Sequence, residues 1–383
     1  MARVRILHAH STFSLGGKEA RAVRLMNAFG DTAEHVVLSG MPGQLQARAA
    51  IDPGIHVAFP EDAPSLTGRF GLARLFKLSR YMRGFDLLLT YNWGAFDAVM
   101  ARYLFARSAD FPPLIHHEDG FNEDEAERLK PARNLYRRLA LPTAYRLVVP
   151  SARLAGIARS AWAQDAAKIA RIANGVAVEH YAGPAQPDVL PGFVRRPGDV
   201  VIGTVAGLRP VKNLDRLVMA MANLPAHVRL VIVGEGPERA RLASLAAQLG
   251  LGERVVLTGF IGEPWRAYPH FDLFALSSLS EQFPISVVEA MAAGLAIVST
   301  DVGDVADMVS ADNRLFVGPA DDERGFVRAL HALACSADTR LRLGLANQAR
   351  ARLHFDERAM IAAYARLYGE AIGRPHAFEQ HPG

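Results

Sequence analysis

The stretch that decides the fold runs from residue 280 to residue 294 and reads SEQFPISVVEAMAAG. Two short apolar runs flank it, residues 273–276 and residues 296–299, and both are predicted to be buried strands. Residues 287–293 between them are predicted to be a helix. A strand, a helix and a second strand in this order form a βαβ unit, so the stretch predicts a parallel sheet covered by helices.

The same alternation of strands and helices extends through both halves of the chain. In the first half, the predicted strands are residues 4–9, 36–38, 86–90, 113–116 and 146–149, and a helix is predicted at 18–29. In the second half, further strands are predicted at 200–205, 228–233 and 255–257, and helices at 214–222, 237–249, 324–333 and 340–354. The fold class is therefore α/β, with two doubly wound domains and ligands bound at the carboxyl ends of their strands.

A break in composition separates the two halves. Residues 183–198 hold four prolines and three glycines and show no periodicity, which is typical of a linker. We therefore expect an N-terminal domain at 1–183, a linker at 184–198 and a C-terminal domain at 199–355. Residues 356–383 are expected to form a helix that returns to the N-terminal domain, with a frayed tail from residue 373.

Composition narrows the class of protein. The chain has 383 residues, half of them hydrophobic and 21% charged, as in ordinary globular enzymes. Cys335 is the single cysteine, so an internal disulfide is excluded and a reducing compartment fits. No run approaches the roughly 18–20 apolar residues of a membrane-spanning helix, and the N-terminus lacks the pattern of a signal peptide. We expect a cytoplasmic protein.

The net charge of +4 is small, but basic residues cluster in two segments of the first half. The clusters consist of Arg69, Arg74, Lys77, Arg80 and Arg83, and of Lys130, Arg133, Arg137, Arg138 and Arg146. They could be solvated helix faces, or a surface that meets anionic lipid or a phosphate-bearing acceptor. No nucleic-acid-binding motif accompanies them, so a nucleic-acid partner is not expected.

Two glutamates in the opening stretch indicate chemistry. Glu281 precedes the predicted helix, and Glu289 lies about one turn inside it among small and apolar residues. A carboxylate in such surroundings is costly unless it meets hydrogen-bond donors, and the two adjacent hydroxyls of a ribose are suitable donors. The helix N-terminus near residues 283–286 offers free N–H groups to an anion.

The spacing of these glutamates, followed by Ala-Met-Ala-Ala-Gly, resembles the family 4 glycosyltransferases over nearly the whole chain. These are retaining enzymes with the GT-B fold, in which two Rossmann-like domains face each other across a cleft. The resemblance implies that Glu281 contacts the donor sugar and Glu289 the ribose. The adjoining site residues would be Phe283, Pro284 and Ile285.

The sequence departs from this family at two positions. Gln282 stands where the family commonly has a glycine after the first glutamate. Asp304 stands where the family often has the second of two paired glycines. Gln282 is expected to alter the donor-sugar pocket or the backbone of its loop, and the contact that the second glycine makes is in doubt.

Two further loops of the second half follow predicted strands. Arg209 and Lys212 form a pair of fixed cations suited to a diphosphate, and they resemble the diphosphate clamp of the family. Gly234 and Gly236 permit close approach of a nucleotide, although a tight turn would also use them. By the same resemblance, residues 256–261, with Phe260 among them, would line the base site.

In the first half, Gly16, Gly17 and Glu19 resemble the family's Gly-Gly-x-Glu loop, which approaches the donor phosphate and the acceptor. A plain strand-to-helix turn is the alternative.

A second loop, residues 115–120, reads IHHEDG. Family members carry a histidine at this place that contacts the transferred sugar, and His117 is the first candidate, Asp119 the second, with His116 and Glu118 left open. Adjacent histidines on an extended chain point to opposite faces, which argues against a metal site. Asn122 is expected to cap the following helix.

Together these features predict a metal-independent, retaining glycosyltransferase without a cofactor. It would move a sugar from a UDP- or GDP-sugar to a glycan or lipid-linked acceptor in bacterial surface-polysaccharide or glycolipid assembly. A nucleotide-sugar epimerase of similar fold and a non-catalytic nucleotide-binding protein are the alternatives. A dinucleotide-dependent oxidoreductase would need a Gly-x-Gly-x-x-Gly sequence after the first strand, which Gly16-Gly17 does not supply.

Overall fold

The strands of both sheets are formed by continuous apolar runs, because a parallel strand that is covered by helices on both faces has no side exposed to water. In the computed structural model, residues 3–14, 16–68, 71–106, 111–121, 125 and 129–379 are described. The chain divides into two compact units, Met1–Ala173 with Met360–Gly383, and Asn174–Ala359.

The first unit is a parallel sheet of seven strands with helices on both faces. Its strands are β1 Val4–His10, β2 Ala33–Ser39, β3 Val57–Ala58, β4 Leu87–Tyr91, β5 Leu114–His117, β6 Arg146–Val149 and β7 Ile169–Arg171. Its helices are α1 Gly17–Phe29, α2 Leu72–Met82, α3 Phe96–Phe105, α4 Pro131–Ala140 and α5 Ala152–Ser160. Short 3-10 turns cover Gly30–Thr32, Gln46–Ala50, Trp93–Ala95, Leu141–Thr143 and Ala166–Lys168. The strand order β3-β2-β1-β4-β5-β6-β7 reverses between β1 and β4, which is the doubly wound pattern.

The second unit repeats this architecture with six parallel strands. They are β8 Val200–Val205, β9 Val228–Val233, β10 Val255–Gly259, β11 Leu273–Leu276, β12 Ala296–Thr300 and β13 Val317–Gly318. The helices are α6 Leu214–Ala220, α7 Arg239–Gln248, α8 Ile285–Ala292, α9 Val305–Met308, α10 Glu323–Cys335 and α11 Ala337–His354. Its 3-10 turns are Val178–Ala182, Pro210–Lys212, Met221–Asn223, Pro264–Arg266, Tyr268–His270 and Asn313–Phe316. The order β10-β9-β8-β11-β12-β13 reverses between β8 and β11.

The last helix, α12 Glu357–Ala371, begins in the second unit, and its residues from Met360 onward belong to the first. Its apolar face repeats at helical spacing, and Tyr364 and Tyr368 are fully buried against the first sheet. Beyond it, Phe378 is buried and packs on Phe29, with ring centroids 4.7 Å apart. The tail is therefore packed as far as this residue, contrary to the expected fraying from residue 373, because an aromatic side chain gains more from burial than from solvent.

The boundary between the units lies earlier than the sequence indicates. The second unit begins at Asn174, whereas the N-terminal domain was expected to extend to residue 183. The Val176 N–H donates to the Phe355 carbonyl at 2.9 Å, and the Glu357 N–H donates to the Val176 carbonyl at 3.0 Å. These backbone bonds fix the segment before the expected linker to the second unit. Residues 184–198 themselves contain no helix or strand.

No helix within the described ranges is both long enough and apolar enough to cross a membrane.

Candidate functional site

Two loops of the second unit meet where its strand order reverses, and they bring two predicted site residues together. The Lys212 Nζ donates to the Glu281 Oε1 at 2.5 Å, and the Ser278 Oγ donates to the same oxygen at 2.8 Å. The side chains of Lys212 and Glu281 are 17% and 13% exposed. This is the place where a doubly wound sheet binds its ligand, and both charges remain reachable from solvent.

The two loops are also joined through their backbones. The Ser277 hydroxyl donates to the Lys212 carbonyl at 2.9 Å, and the Leu279 N–H donates to the Val211 carbonyl at 2.8 Å. The backbone of the Lys212 turn is therefore tied to the loop that carries Glu281, while the Lys212 ammonium is held by its ion pair with Glu281.

Arg209 stands at the exposed start of the Pro210–Lys212 turn. Among the residues that the structure describes, none forms an ion pair with its guanidinium. The loop therefore presents one cation engaged with Glu281 and one that is open to solvent. An incoming anion could reach both.

Glu289 is the fifth residue of α8 and is nearly buried. Its Oε2 accepts from the Tyr268 hydroxyl at 2.6 Å, and its Oε1 accepts from the Tyr181 hydroxyl at 3.0 Å. Burial, with the neighbouring Glu289 carboxylate, raises the pKa of Tyr268 well above its ordinary value, so Tyr268 stays a donor. A carboxylate has about four acceptor positions in all. Glu289 is thus held as an acceptor for hydroxyl groups.

Phe283, Pro284 and Ile285 lie at the N-terminus of α8. Pro284 is the capping residue and Ile285 the first helical one. The Phe283 ring packs edge-on against Phe355, with centroids 5.7 Å apart. This contact packs the residue before Pro284 against Phe355, next to the first N–H groups of α8, which have no partner within the helix.

The glycines after β9 have a structural explanation of their own. A Cβ on Gly234, where φ is 139°, would lie 2.0 Å from the Ala206 carbonyl oxygen. A Cβ on Gly236 would lie 2.4 Å from the Leu208 carbonyl oxygen. Backbone packing therefore requires both glycines, and contact with a nucleotide stays a prediction. Phe260, directly after β10, is 65% exposed.

In the first unit, Asp119 lies just after β5 and pairs with Arg21 of α1. Both carboxylate oxygens accept from the guanidinium, and the Asp119 N–H donates to the Asn92 Oδ1 at 2.7 Å. Burial alone would raise the pKa of Asp119, but the Arg21 charge outweighs it and holds the pKa below its usual value. The Asp119 side chain is 14% exposed, so an ionised carboxylate faces solvent here.

His117, the first candidate from the sequence, lies in the core instead. Its ring is completely buried, with Nδ1 3.2 Å from the Thr90 carbonyl oxygen and Nε2 2.9 Å from the Tyr368 hydroxyl. Burial and the Arg21 charge lower the pKa of His117 to about 3, so the ring is neutral near pH 7. With both nitrogens engaged inside the unit, this geometry does not support direct contact with a sugar. It favours Asp119 over His117.

The remaining residues of that loop are also internal. His116 Nδ1 bonds the Thr90 hydroxyl at 2.8 Å, and Glu118 accepts from Arg137 at 3.3 Å. Arg137, expected in a surface cluster, is completely buried between Glu118 and Glu125 and lies over the Trp162 ring at 4.7 Å. This network is structural, because a buried charge needs partners. The expected cap Asn122 lies outside the described residues.

The Gly16-Gly17 loop leads into α1. Gly16 is extended, and a Cβ there would lie 2.7 Å from Glu19 Oε2. Glu19 is buried and ion-paired with Lys18. Gly16 therefore makes room for the Glu19 carboxylate, while the backbone of Gly16 and Gly17 is exposed.

A cluster of buried histidines lies on the first sheet. His8 Nε2 is 3.0 Å from His35 Nδ1, and His8 Nδ1 is 3.2 Å from the Tyr91 hydroxyl. His10 stacks on Tyr91 with centroids 3.9 Å apart. Burial is the main cause that lowers the pKa values of His8 and His10 well below their ordinary value, and the Lys18 and Arg21 charges add to it at His10. Burial alone lowers the pKa of His35 to about 4. No three His, Cys, Asp or Glu side chains in the described part of the chain are arranged to hold a metal ion.

Comparisons with known proteins agree with this architecture. The family model described as Glycosyl transferases group 1 matches residues 191–351, and the model described as Glycosyltransferase Family 4 matches residues 15–180. The chain belongs to glycosyltransferase family 4.

Curated relatives match this chain over part of their length. A GDP-mannose-dependent alpha-mannosyltransferase of Mycobacterium tuberculosis (strain CDC 1551 / Oshkosh) is 36% identical over 150 residues, which cover 39% of this chain and 38% of the relative. The N-acetylgalactosamine-N,N'-diacetylbacillosaminyl-diphospho-undecaprenol 4-alpha-N-acetylgalactosaminyltransferase of Campylobacter jejuni (subsp. jejuni serotype O:2, strain ATCC 700819 / NCTC 11168) is 30% identical over 171 residues, covering 44% of this chain and 46% of the relative. The matches thus span less than half of these relatives' own length.

The fold is shared with solved structures. That of Anabaena Alr3699/HepE in complex with UDP has a TM-score of 0.75 and 19% identity, covering 96% of this chain and all of the other. The likeness confirms the expected α/β fold of two Rossmann-like domains.

Several residues of the candidate site could not be predicted from the sequence. Ser278, Tyr181 and Tyr268 bond the two glutamates but belong to no local pattern. Arg21 pairs with Asp119, which is 98 positions away. His8 and His10 did carry a signal, since residues two apart on a strand share a face of the sheet.

Proposed function

We propose that this chain is a retaining glycosyltransferase that moves a sugar from a UDP- or GDP-sugar to a glycan or lipid-linked acceptor. The observation that carries the proposal is the Lys212–Glu281 ion pair at the switch point of the second sheet, one loop from the Glu289 carboxylate. A fixed cation for a phosphate beside carboxylates for hydroxyls is what a nucleotide-sugar donor requires. The relatives' names, one with GDP-mannose and one with a diphospho-undecaprenol acceptor, support this substrate class.

Each residue has a role in this proposal. Arg209 and Lys212 hold the diphosphate and stabilise the charge that grows as the sugar leaves. Lys212 can approach the phosphate while Glu281 exchanges part of this pairing for sugar hydroxyls. Glu289 accepts from the ribose diol, and Gly234, Gly236 and Phe260 flank the nucleoside. The first helical N–H groups after Pro284 face the anion.

We further propose that transfer proceeds with retention and without a metal. The acceptor hydroxyl enters on the face from which the diphosphate leaves, and a leaving phosphate oxygen takes the acceptor proton. Asp119, the ionised and partly exposed carboxylate of the first unit, orients the acceptor side. Proton NMR of the first product formed tests retention: an α-linked donor should give an α-linked product, and a β-linked product would contradict it.

The phosphate clamp is tested by Arg209→Ala and Lys212→Ala. Each should lower the rate of nucleoside diphosphate release from the donor by about a hundredfold, since a lost charged donor in a preorganised anion site costs on the order of 3 kcal/mol. Transfer to water serves as the reaction while the acceptor is unknown. Arg328→Ala is the control, because Arg328 is an exposed surface residue of α10. Near-normal rates in both clamp variants, with the fold intact, would contradict the assignment.

We propose that the acceptor is met at an anionic membrane surface, on the inner face of the plasma membrane. Exposed apolar side chains lie on three adjacent helices of the first unit: Leu72 and Phe76 on α2, Tyr103 on α3, and Leu135 and Leu139 on α4. Neither α2 nor α4 carries an acidic residue, and the Asp97 carboxylate of α3 is paired with Arg74 at 2.6 Å. The basic residues of this face are exposed: Lys77, Arg80, Arg83 and Arg138. Arg69 of the first cluster lies outside the described residues.

Vesicle flotation tests this membrane face. The protein should bind phosphatidylglycerol vesicles more strongly than phosphatidylcholine vesicles, and less strongly as salt rises. Phe76→Ser should weaken binding to anionic vesicles, because it removes an apolar contact, while Leu353→Ser on α11 of the second unit should not. Equal binding to both vesicle types, or equal effects of the two substitutions, would contradict the proposal.

A further inference from the structure

Asn92 directly follows β4, at the point where the strand order of the first sheet reverses. Doubly wound sheets bind their ligands at this point. The turn that Asn92 begins lies against the end of β1, because a Cβ on Gly94 would lie 2.1 Å from the Ser11 Cβ. The loop after β5, which carries Asp119, is hydrogen-bonded to Asn92. The ends of three strands therefore meet around Asn92.

The backbone of Asn92 is strained. Its φ is 54° and its ψ is −174°, a combination that glycine adopts and that other residues rarely do. Asparagine tolerates a positive φ in the left-handed helical region, where ψ is about +47°, and Asn92 lies far from that region. A side chain kept in such a conformation is expected to contribute something that glycine cannot.

The side chain of Asn92 bonds a different loop from its own. Within the described turn Trp93–Ala95, it caps no N–H group. Its Oδ1 instead accepts from the Asp119 N–H at 2.7 Å. The Asn92 N–H donates to the His117 carbonyl at 2.8 Å. Asn92 therefore holds the chain on both sides of Glu118, and its amide oxygen holds the backbone of Asp119.

Asp119 is held at its carboxylate as well as at its backbone. Arg21 of α1 donates to both carboxylate oxygens, to one of them at 2.8 Å. The Asp119 side chain is still 14% exposed, and a carboxylate oxygen can accept more than one hydrogen bond, so a hydroxyl group can bind it. A carboxylate fixed at both ends can orient a hydroxyl without first losing freedom of its own.

We infer that Asn92 is a positioning residue for sugar transfer, which fixes the backbone of Asp119 so that its carboxylate meets the acceptor hydroxyl, or water in hydrolysis. The inference rests on the proposed function and on the role given there to Asp119. Asn92 acts through Asp119 and not on the donor, which is proposed to bind in the second unit. The strained backbone is the cost of carrying an amide oxygen where the conformation suits glycine.

Asn92→Gly tests the inference, because glycine suits this backbone and lacks the amide oxygen. With a panel of UDP- and GDP-sugars and water as the acceptor, kcat and KM are measured as nucleoside diphosphate release. The substitution should lower kcat about tenfold with the donor that the wild type uses, and leave the donor KM within about twofold. The urea midpoint of the first unit should stay the same or rise, because the strain is relieved.

Ala163→Gly is the matched control. Ala163 also has a positive φ, of 53°, and it is an exposed residue of the first unit. This substitution should leave kcat unchanged. Asp119→Asn should lower kcat at least as much as Asn92→Gly does. The double variant Asn92→Gly with Asp119→Asn should be no slower than Asp119→Asn alone, because Asn92 acts through Asp119.

Four results would overturn the inference: an unchanged kcat in Asn92→Gly, an equal loss in Ala163→Gly, a lowered urea midpoint in Asn92→Gly, or losses that multiply in the double variant. The lowered midpoint would show that the Asn92 side chain serves stability. An unchanged kcat in Asp119→Asn would overturn the role of Asp119, and the inference with it. Absence of turnover with every donor in the wild type would instead overturn the proposed function, on which the inference rests.

Discussion

Acid should destabilise the first unit in a defined range of pH. His8, His10, His35 and His117 are buried there, and the pKa of each is lowered, to about 4 for His35 and about 3 for His117. Since an unfolded histidine has a pKa near 6.5, the unfolded chain binds protons first as pH falls below that value. Stability is therefore complete above about pH 6.5 and is lost progressively below it.

The magnitude follows from linkage. Between pH 6 and pH 5, each histidine that stays neutral in the folded state costs about 1.2 kcal/mol, or about 4–5 kcal/mol for the four. The neighbouring groups do not offset this loss. Burial raises the pKa of Tyr91 and raises that of Tyr364 to about 12, so both phenols stay neutral. Asp119, held ionised by Arg21, loses its contribution only below about pH 4, in a separate range.

Urea unfolding at several pH values measures the effect. In a Trp265→Phe background, the remaining tryptophans, Trp93 and Trp162, report on the first unit. His10→Phe keeps an aromatic ring on Tyr91 and removes one titrating group, so the slope of unfolding free energy against pH should fall by roughly a quarter. His56→Phe, a half-exposed control in the same unit, should change the slope much less. A flat profile from pH 7 to pH 5, or an equal effect of the two substitutions, would refute this reasoning.

Three further perturbations have definite outcomes. Tyr268→Phe removes the hydroxyl that donates to Glu289 at 2.6 Å. The substitution should lower the free energy of unfolding by about 1–3 kcal/mol and weaken nucleoside diphosphate binding. An unchanged urea midpoint together with an unchanged affinity would contradict this. Gly234→Ala places a Cβ against the Ala206 carbonyl and should lower the free energy of unfolding of the second unit by more than about 2 kcal/mol. The control Gly252→Ala, with open space around its Cβ, should leave the melting temperature nearly unchanged. Equal shifts in melting temperature for the two variants would contradict the requirement for glycine at 234. Donor turnover should survive excess EDTA, and a loss restored by magnesium or manganese would reverse the assignment of metal independence.

The strands could be predicted closely from the sequence because buried parallel strands are continuous apolar runs. Residues 200–205, 228–233 and 273–276 match β8, β9 and β11. The edge strands β3 and β13 were not predicted, because a strand of two residues is too short to show periodicity. The position of the domain boundary was not predicted either, because the backbone hydrogen bonds of Val176 with Phe355 and Glu357 join positions far apart in the sequence.

Spacing in the sequence selected Glu281, Glu289 and Lys212 as candidates, and the structure places Lys212 and Glu281 together, while their roles stay predictions. The sequence does not predict a side chain's role where that role depends on whether tertiary contacts bury the side chain. His117 is enclosed by Tyr368 of α12, 251 positions away, and no local pattern reports that contact. The sequence likewise places Arg137 in a basic surface cluster, because its ion pairs with Glu118 and Glu125 leave no mark in the local pattern.

Calorimetry with UDP and GDP on the wild type, Glu281→Ala and Glu289→Ala tests the proposed donor site most directly. Ribose is present in the free nucleotide and the transferred sugar is not, so a contact to each should appear in a different measurement. The wild type should bind at least one of the two nucleotides, Glu289→Ala should weaken that binding by about tenfold or more, and Glu281→Ala should retain it while losing donor turnover. Binding of neither nucleotide by the wild type, or loss of nucleotide affinity in Glu281→Ala with full affinity in Glu289→Ala, would contradict the proposed donor site.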